Sequence, residues 1–215
     1  LRQVLPDYKA AHPQPLLDSS AEPTMWIGNQ GTVAPHYDIH DNLACVVAGK
    51  RQFTLFPPEQ INNLYPGPTL SAPAGVPVSM VDIKNPDYKR YPKYKEAVKT
   101  GFQATLEPGD AVFIPALWWH GVESLEPFNI LVNYWWGGSD LGSLSPNDSL
   151  LHSMMSIANL DQQKREAWQH FFNYYVFKTM DSPSEHLPAK LKDIVTDLSP
   201  TQRVKVRNFL AEKLK

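Results

Sequence analysis

Residues 32–56 read TVAPHYDIHDNLACVVAGKRQFTLF, and the reading of this stretch decides the fold. Three runs rich in β-branched and aromatic residues, Thr32–Tyr37, Asn42–Val47 and Arg51–Phe56, are separated by short breaks, the second carrying Ala48-Gly49. Runs of this length, broken this closely, are strands joined by turns, because a helix needs a longer stretch at a 3.6-residue period. Outward from this stretch the pattern repeats. Thr24–Asn29, Pro77–Asp82, Phe102–Leu106, Ala111–Ile114, Gly121–Ser124 and Ile130–Trp136 are further candidate strands. Turn signals stand between them at Gly31, Glu107-Pro108-Gly109-Asp110 and Glu126-Pro127. Eight or nine short strands so punctuated predict a barrel or a two-sheet jelly roll over 24–137. Between Pro57 and Gly101 eight prolines interrupt the series and forbid a long regular helix. That stretch is read as an excursion, and long excursions on a β scaffold often carry binding function.

Residues 1–23 hold Pro6, Pro13, Pro15 and Pro23 with little periodicity, an irregular lead-in. After Gly138 the period becomes helical, giving a C-terminal α-helical appendage over 138–215. Ser145-Pro146 starts one helix, with proline at the first helical position. Asp161 caps a second, carrying Trp168, Phe171, Phe172 and Tyr175; Leu187 to Leu198 fits a third. Ser199-Pro200 opens a fourth, with Val206, Leu210 and Leu214 at successive four-residue steps. The aromatic stripe is a packing surface, against the barrel or a second subunit.

The chain has 215 residues, 42% of them hydrophobic and 20% charged, enough for one substantial domain with an appendage. A formal net charge of −2 gives no overall basic field, so nucleic acid is not indicated, although a local basic groove is compatible with it. The single Cys45 has no disulfide partner within the chain and favours a reducing, cytoplasmic setting. No apolar run approaches the ~18 residues of a membrane span.

His36-Tyr37-Asp38 places two metal-ligating side chains on one face of a strand, since side chains alternate with period two. Alone, His-x-Asp is a weak signal. A third candidate, His120, follows the apolar run Ile114–Trp119, and it completes a three-ligand face if the fold brings two strands together. A histidine beside tryptophans is otherwise a core residue. Two histidines and one carboxylate with open positions are the ligand set of non-haem Fe(II) oxygenases. A dicarboxylate that chelated such a metal at one end would need a cation at the other, and Arg suits this through bidentate hydrogen bonds. Arg51 shares a strand face with Phe53 and Leu55, and Lys50-Arg51 otherwise reads as a solvated pair at a turn. Asn42 and Asn133 are polar residues in apolar runs, able to bond a buried carboxylate or to satisfy backbone groups.

Several separate motifs now stand in order: Pro35-His36-Tyr37-Asp38, Asn42, Phe56-Pro57-Pro58-Glu59-Gln60, Asn85-Pro86-Asp87-Tyr88, Pro108-Gly109-Asp110, Trp118-Trp119-His120 and Val132-Asn133-Tyr134-Trp135. In these, residues 24–137 resemble the JmjC-type, cupin-like family of Fe(II)- and 2-oxoglutarate-dependent hydroxylases. The resemblance is strongest to the branch containing the asparaginyl hydroxylase of hypoxia-inducible factor. It implies a double-stranded β-helix, Fe(II) held by His36, Asp38 and His120, and 2-oxoglutarate and O2 as co-substrates. The family's co-substrate-binding cation falls on Arg51, where that branch has lysine. Asn42 and Asn133 match family asparagines near the co-substrate and the metal. The branch's threonine three positions before the first ligand is Val33 here, and the nearest hydroxyl is Thr32. The family carries further elements before its barrel, so the resemblance implies a truncated N-terminus. It also implies a homodimer through the helices after the barrel.

The sequence is therefore read as a mainly β jelly roll acting as a dioxygenase that hydroxylates a protein side chain or other substrate. Two rivals remain: a hydroxylase of RNA or a small molecule, and a non-enzymatic cupin-like metal-binding or scaffold protein.

Overall fold

The computed structural model describes residues 1, 4–17, 21–69, 76–137, 145–188, 192 and 199–213. Among them eight strands form two four-stranded antiparallel sheets. In chain order they are β1 (Glu22–Gly28), β2 (Gly31–Tyr37), β3 (Asp41–Ala48), β4 (Arg51–Phe56), β5 (Phe102–Leu106), β6 (Ala111–Ile114), β7 (Trp119–Ser124) and β8 (Asn129–Trp136). One sheet runs β1-β8-β3-β6 and the other β2-β7-β4-β5, a jelly roll in which the chain changes sheet at every step except β4 to β5. The expected fold class is found. Eight of the candidate strands are strands, with ends shifted by up to two residues. Pro77–Asp82 is a correction. Ser79 N donates to Pro35 O at 2.7 Å and Met80 N to Tyr65 O at 3.0 Å, so successive groups serve different partners and only one isolated bridge, Pro66 to Ser79, forms.

Strand alternation assigns the faces. On β4, Arg51, Phe53 and Leu55 stand opposite Ser124, Val122 and His120 of β7 and face inward. Ala44, Val46, Phe53, Ile114, Val122 and Leu131 fill the space between the sheets. The outward face of the second sheet is also covered. Phe56 and Trp119 pack there with Leu64, Val81, Tyr94 and Ala97, all buried and all but the first two from the excursion. The excursion contains a short 3-10 helix, Pro58–Asn63, and α2, Tyr94–Thr100; a single turn, α1 (Tyr8–Ala11), precedes β1 in the lead-in. Lys84 of the excursion reaches the nearly buried Glu123 on β7 at 2.9 Å. The outward face of the first sheet packs Leu43, Val132 and Tyr134 with Ala21 of the lead-in, and half-buried Cys45 borders this cluster.

The chain divides into two compact units, Leu1–Asp140 and Leu141–Lys215. In the second, α3 (Pro146–Ser156) begins at Ser145, whose side chain accepts from Asn147 N, and α4 (Gln162–Tyr175) begins at Asp161, which accepts from Lys164 N. The third helix expected over Leu187–Leu198 lies largely outside the described residues, as does Leu214. The fourth is α5, Pro200–Lys213. No helix among the described residues is long and apolar enough to cross a membrane.

The β3–β4 turn depends on Gly49, whose φ of 75° lies in the left-handed region. A Cβ there would strike Asn129 Oδ1 and Phe128 O, and buried Asn129 itself accepts from Lys50 N at 3.2 Å. Gly49→Ala is expected to cost about 2 kcal/mol or more in urea unfolding, the left-handed strain alone being roughly 1–2 kcal/mol. Gly31→Ala, where nothing lies within 4 Å, should change stability by less than about 0.5 kcal/mol. Equal effects at both sites would contradict this account of the turn.

Candidate metal centre

Strand pairing builds the site. β2 and β7 pair with Gly31 opposite Ser124 and Val33 opposite Val122. The register then shifts between Val33 and His36, so that His36 stands opposite His120. The extra residue in β2 is a bulge at Ala34-Pro35, and it turns His36 onto the inward face shared by His120. Asp38 follows two residues later, at the end of the strand. Its position is fixed from the other side, because Leu117 N donates to Asp38 O at 2.8 Å and Ala116 N to Asp41 Oδ1 at 2.9 Å. Leu117 holds a φ of 65°, unusual for a non-glycine residue, in the loop that carries the chain into β7.

One ligand atom from each of His36, Asp38 and His120 lies within 4.8 Å of the others. The imidazole centroids are 4.3 Å apart, and His120 Nε2 is 3.7 Å from Asp38 Oδ2. Each imidazole has Nδ1 beside a carbonyl two residues upstream, His36 with Ala34 O at 3.0 Å and His120 with Trp118 O at 3.1 Å. A carbonyl only accepts, so Nδ1 is the donor in each contact and Nε2 is the nitrogen left to ligate. Burial, followed by the neighbouring His36, pushes the His120 pKa down to about 4, so this ring is neutral and able to ligate at neutral pH. Two fixed imidazole lone pairs and a carboxylate suit a divalent cation, and they leave positions free for other ligands.

The carboxylate has its own support. Trp135 Nε1 donates to Asp38 Oδ2 at 3.0 Å and Asn42 Nδ2 to the same oxygen at 3.3 Å. Asn133 Nδ2 in turn donates to Asn42 Oδ1 at 2.6 Å. Both asparagines are buried, and Asn42 stands opposite Trp135 in the β3–β8 register. The asparagines expected near the co-substrate thus form a chain ending on the Asp38 carboxylate. Trp135, read in the sequence only as part of a motif, is the residue that sequence reasoning underused. Its parity with Asn133 on an inward strand face was the available signal.

Arg51 is buried on the inward face, its Nε has no hydrogen-bond partner among the described residues, and desolvation lowers its pKa. A buried guanidinium without an acceptor fits an anionic ligand. Lys50 is engaged differently, pairing on the surface with Glu107 at 2.7 Å, which raises its pKa. Thr32 is not brought to the site. It stands opposite Glu123, on the outward face, and it is exposed. Val33 has the inward parity instead.

The chain belongs to the cupin-like domain family, in its JmjC group; the family model matches residues 3–141. It is 40% identical over 116 residues to HSPB1-associated protein 1 of Rattus norvegicus, a match covering 53% of this chain and 24% of that protein. It is 38% identical over 109 residues to lysine-specific demethylase JMJ31 of Arabidopsis thaliana, covering 51% and 19%. It is 37% identical over 101 residues to tRNA wybutosine-synthesizing protein 5 of Gallus gallus, covering 47% and 29%. The chain therefore spans less than a third of the length of these relatives.

Trp135→Phe keeps the ring and removes the donor to Asp38. Loss of such a ligand-orienting bond typically weakens metal binding about 10–100-fold. Calorimetric titration of Mn(II) into the apo protein should show at least tenfold weaker binding with an unchanged far-UV spectrum. An unchanged affinity would remove Trp135 from the support of Asp38.

Proposed function

We propose that this chain is an Fe(II)- and 2-oxoglutarate-dependent oxygenase that hydroxylates a C–H bond of a protein side chain or another substrate. The observation that carries the reading is the convergence of His36, Asp38 and His120 on the inward face, with one ligand atom of each within 4.8 Å of the others and His120 Nε2 3.7 Å from Asp38 Oδ2. Bound there, iron with 2-oxoglutarate and O2 supplies the oxidation, with succinate and CO2 formed beside the hydroxylated product. The chain's own residues position and shield. His36 and His120 present imidazole nitrogens to the cluster. Asp38 offers its carboxylate while Trp135 and Asn42 restrain its rotation. Arg51 supplies the cation for the far carboxylate of 2-oxoglutarate, and Phe53 and Val122 line the interior between Arg51 and the ligands. The names of two relatives, a lysine-specific demethylase and a tRNA-modifying protein, support a macromolecular substrate.

Two substitutions separate the parts. His36→Ala should abolish conversion of 2-oxoglutarate to succinate. Arg51→Ala should raise the apparent KM for 2-oxoglutarate about tenfold to a hundredfold, the loss of a charge-assisted contact of roughly 1.5–3 kcal/mol, and leave the KM for O2 nearly unchanged. Normal turnover in His36→Ala would overturn the metal assignment. An unchanged 2-oxoglutarate KM in Arg51→Ala would move the anchor elsewhere.

We also propose that the C-terminal unit forms a homodimer. Trp168, Phe171 and Tyr175 are 45%, 56% and 48% exposed along α4, and Leu210 of α5 is 42% exposed. An apolar stripe of this extent needs a cover, and a two-fold interface is a common one. Light scattering should give about twice the chain's 24.3 kDa, falling to one chain in Phe171→Glu. A single-chain mass for the unsubstituted protein would overturn the dimer.

A further inference from the structure

The excursion behind the second sheet carries a charge pattern for which the metal centre has no use. Between Lys84 and Lys99 stand six cations against two carboxylates, Asp87 and Glu96, a local charge of +4 in a chain of formal charge −2. All six cations are exposed. Two are paired, Lys84 with Glu123 and Lys99 with Glu96. Among the described residues Lys89, Arg90, Lys93 and Lys95 have no carboxylate partner, and Lys93 Nζ reaches only the neutral Asn62 Oδ1, at 3.2 Å.

The backbone that bears these four is held in place. Asp87 Oδ1 accepts from Lys89 N at 2.9 Å and from Arg90 N at 3.1 Å, and Lys93 N donates to the Tyr65 hydroxyl at 3.0 Å. Tyr94 and Ala97 are buried in the cluster with Trp119. The charges are not explained by the local fold. Lys93 and Lys95 sit at the beginning of α2, where a cation opposes the helix dipole, and four neighbouring cations repel one another. Tyrosines are interleaved with them. Arg90 lies 5.3 Å from the Tyr91 ring centroid and Lys95 5.5 Å from that of Tyr88, which is 40% exposed.

We infer that residues 84–99 form a docking surface for a single strand of nucleic acid. Phosphates would meet the four cations, and a base would stack on Tyr88 after Lys95 swings to a phosphate. An acidic protein segment would satisfy the cations but would make no use of the tyrosine faces between them. The surface lies on the side of the sheet opposite His36 and His120, because Trp119, its buried neighbour, has the parity opposite to His120. It is therefore independent of iron and of the proposed oxygenase reaction.

Fluorescence anisotropy on the metal-free chain tests this, with a labelled single strand of about 20 nucleotides as RNA or DNA, and a polyglutamate peptide as the acidic alternative. Four phosphate contacts predict a slope of about −3 for log affinity against log salt, or about a fifty-fold loss between 50 and 200 mM KCl. Reversing Lys89, Arg90, Lys93 and Lys95 to Glu should remove the binding. The milder pair Arg90→Gln with Lys95→Gln should flatten the slope by about 1.4. Tyr88→Ala should weaken binding about tenfold at the same slope, and His36→Ala should bind normally. No binding by the unsubstituted chain at 50 mM KCl, unchanged binding after the four reversals, or polyglutamate bound as tightly as either strand would overturn the inference.

Discussion

The pairing of β2 with β7 is the constraint on which the site depends. These strands contribute His36 and His120, and a two-residue side-chain period means that one step of slippage would send either ring to the opposite face. The bulge at Ala34-Pro35 absorbs the odd residue between Val33 and His36 and restores the inward parity where the ligand is needed. The surroundings hold that register from both sides. Inside, Phe53, Val122 and Ile114 interlock between the sheets. Outside, Trp119 and Phe56 are clamped by the excursion, and a Cβ on Gly121 would meet Ile83 Cδ1 at 2.8 Å and Pro35 Cγ at 3.2 Å. The close approach of the excursion to the back of β7 thus depends on glycine at 121.

Much of this was legible in the sequence. Short strands between turn residues announce themselves through composition, because Gly49 and Gly109 reach the positive φ of 75° and 101° that other residues resist and Pro108 fixes its own φ. The three side chains that converge, His36, Asp38 and His120, were legible as a pair and a distant third. What the sequence did not carry was parity across the bulge. Thr32 was a candidate as the hydroxyl nearest Val33, whereas the structure turns it outward and gives the inward parity to Val33, itself 53% exposed. Pro77–Asp82 had strand composition, but strand composition does not supply a partner, and its backbone groups are divided between Pro35 and Tyr65. The link from Trp135 to Asp38 joins residues distant in the chain, and only the β3–β8 pairing brings them together.

The asparagine chain changes the meaning of two polar residues. Asn42 gives its amide to Asp38 and takes that of Asn133 on its carbonyl, so its principal bonds are internal to the wall. A satisfied buried network of this kind is rigid, and a half-satisfied one is costly. Replacing Asn133 by an apolar residue of similar size would leave the buried Asn42 carbonyl unpaired, and the damage would arrive at Asp38 without the substituted side chain touching the ligand cluster.

The separation of Arg51 from the ligands has a further consequence. Arg51 stands at the level of Ser124 and His120 at the level of Leu55, four residues along the same ladder. At about 3.3 Å per residue this is roughly 13 Å between backbone levels. The strands on which both ends are mounted are stiff, so that interval hardly adjusts. If Arg51 holds one end of a ligand whose other end sits at His36, Asp38 and His120, the interior acts as a calliper: one carbon too few fails to bridge and one too many is forced to buckle. An arginine, longer and flatter than a lysine, sets such a calliper to a different opening from the one a lysine at position 51 would set.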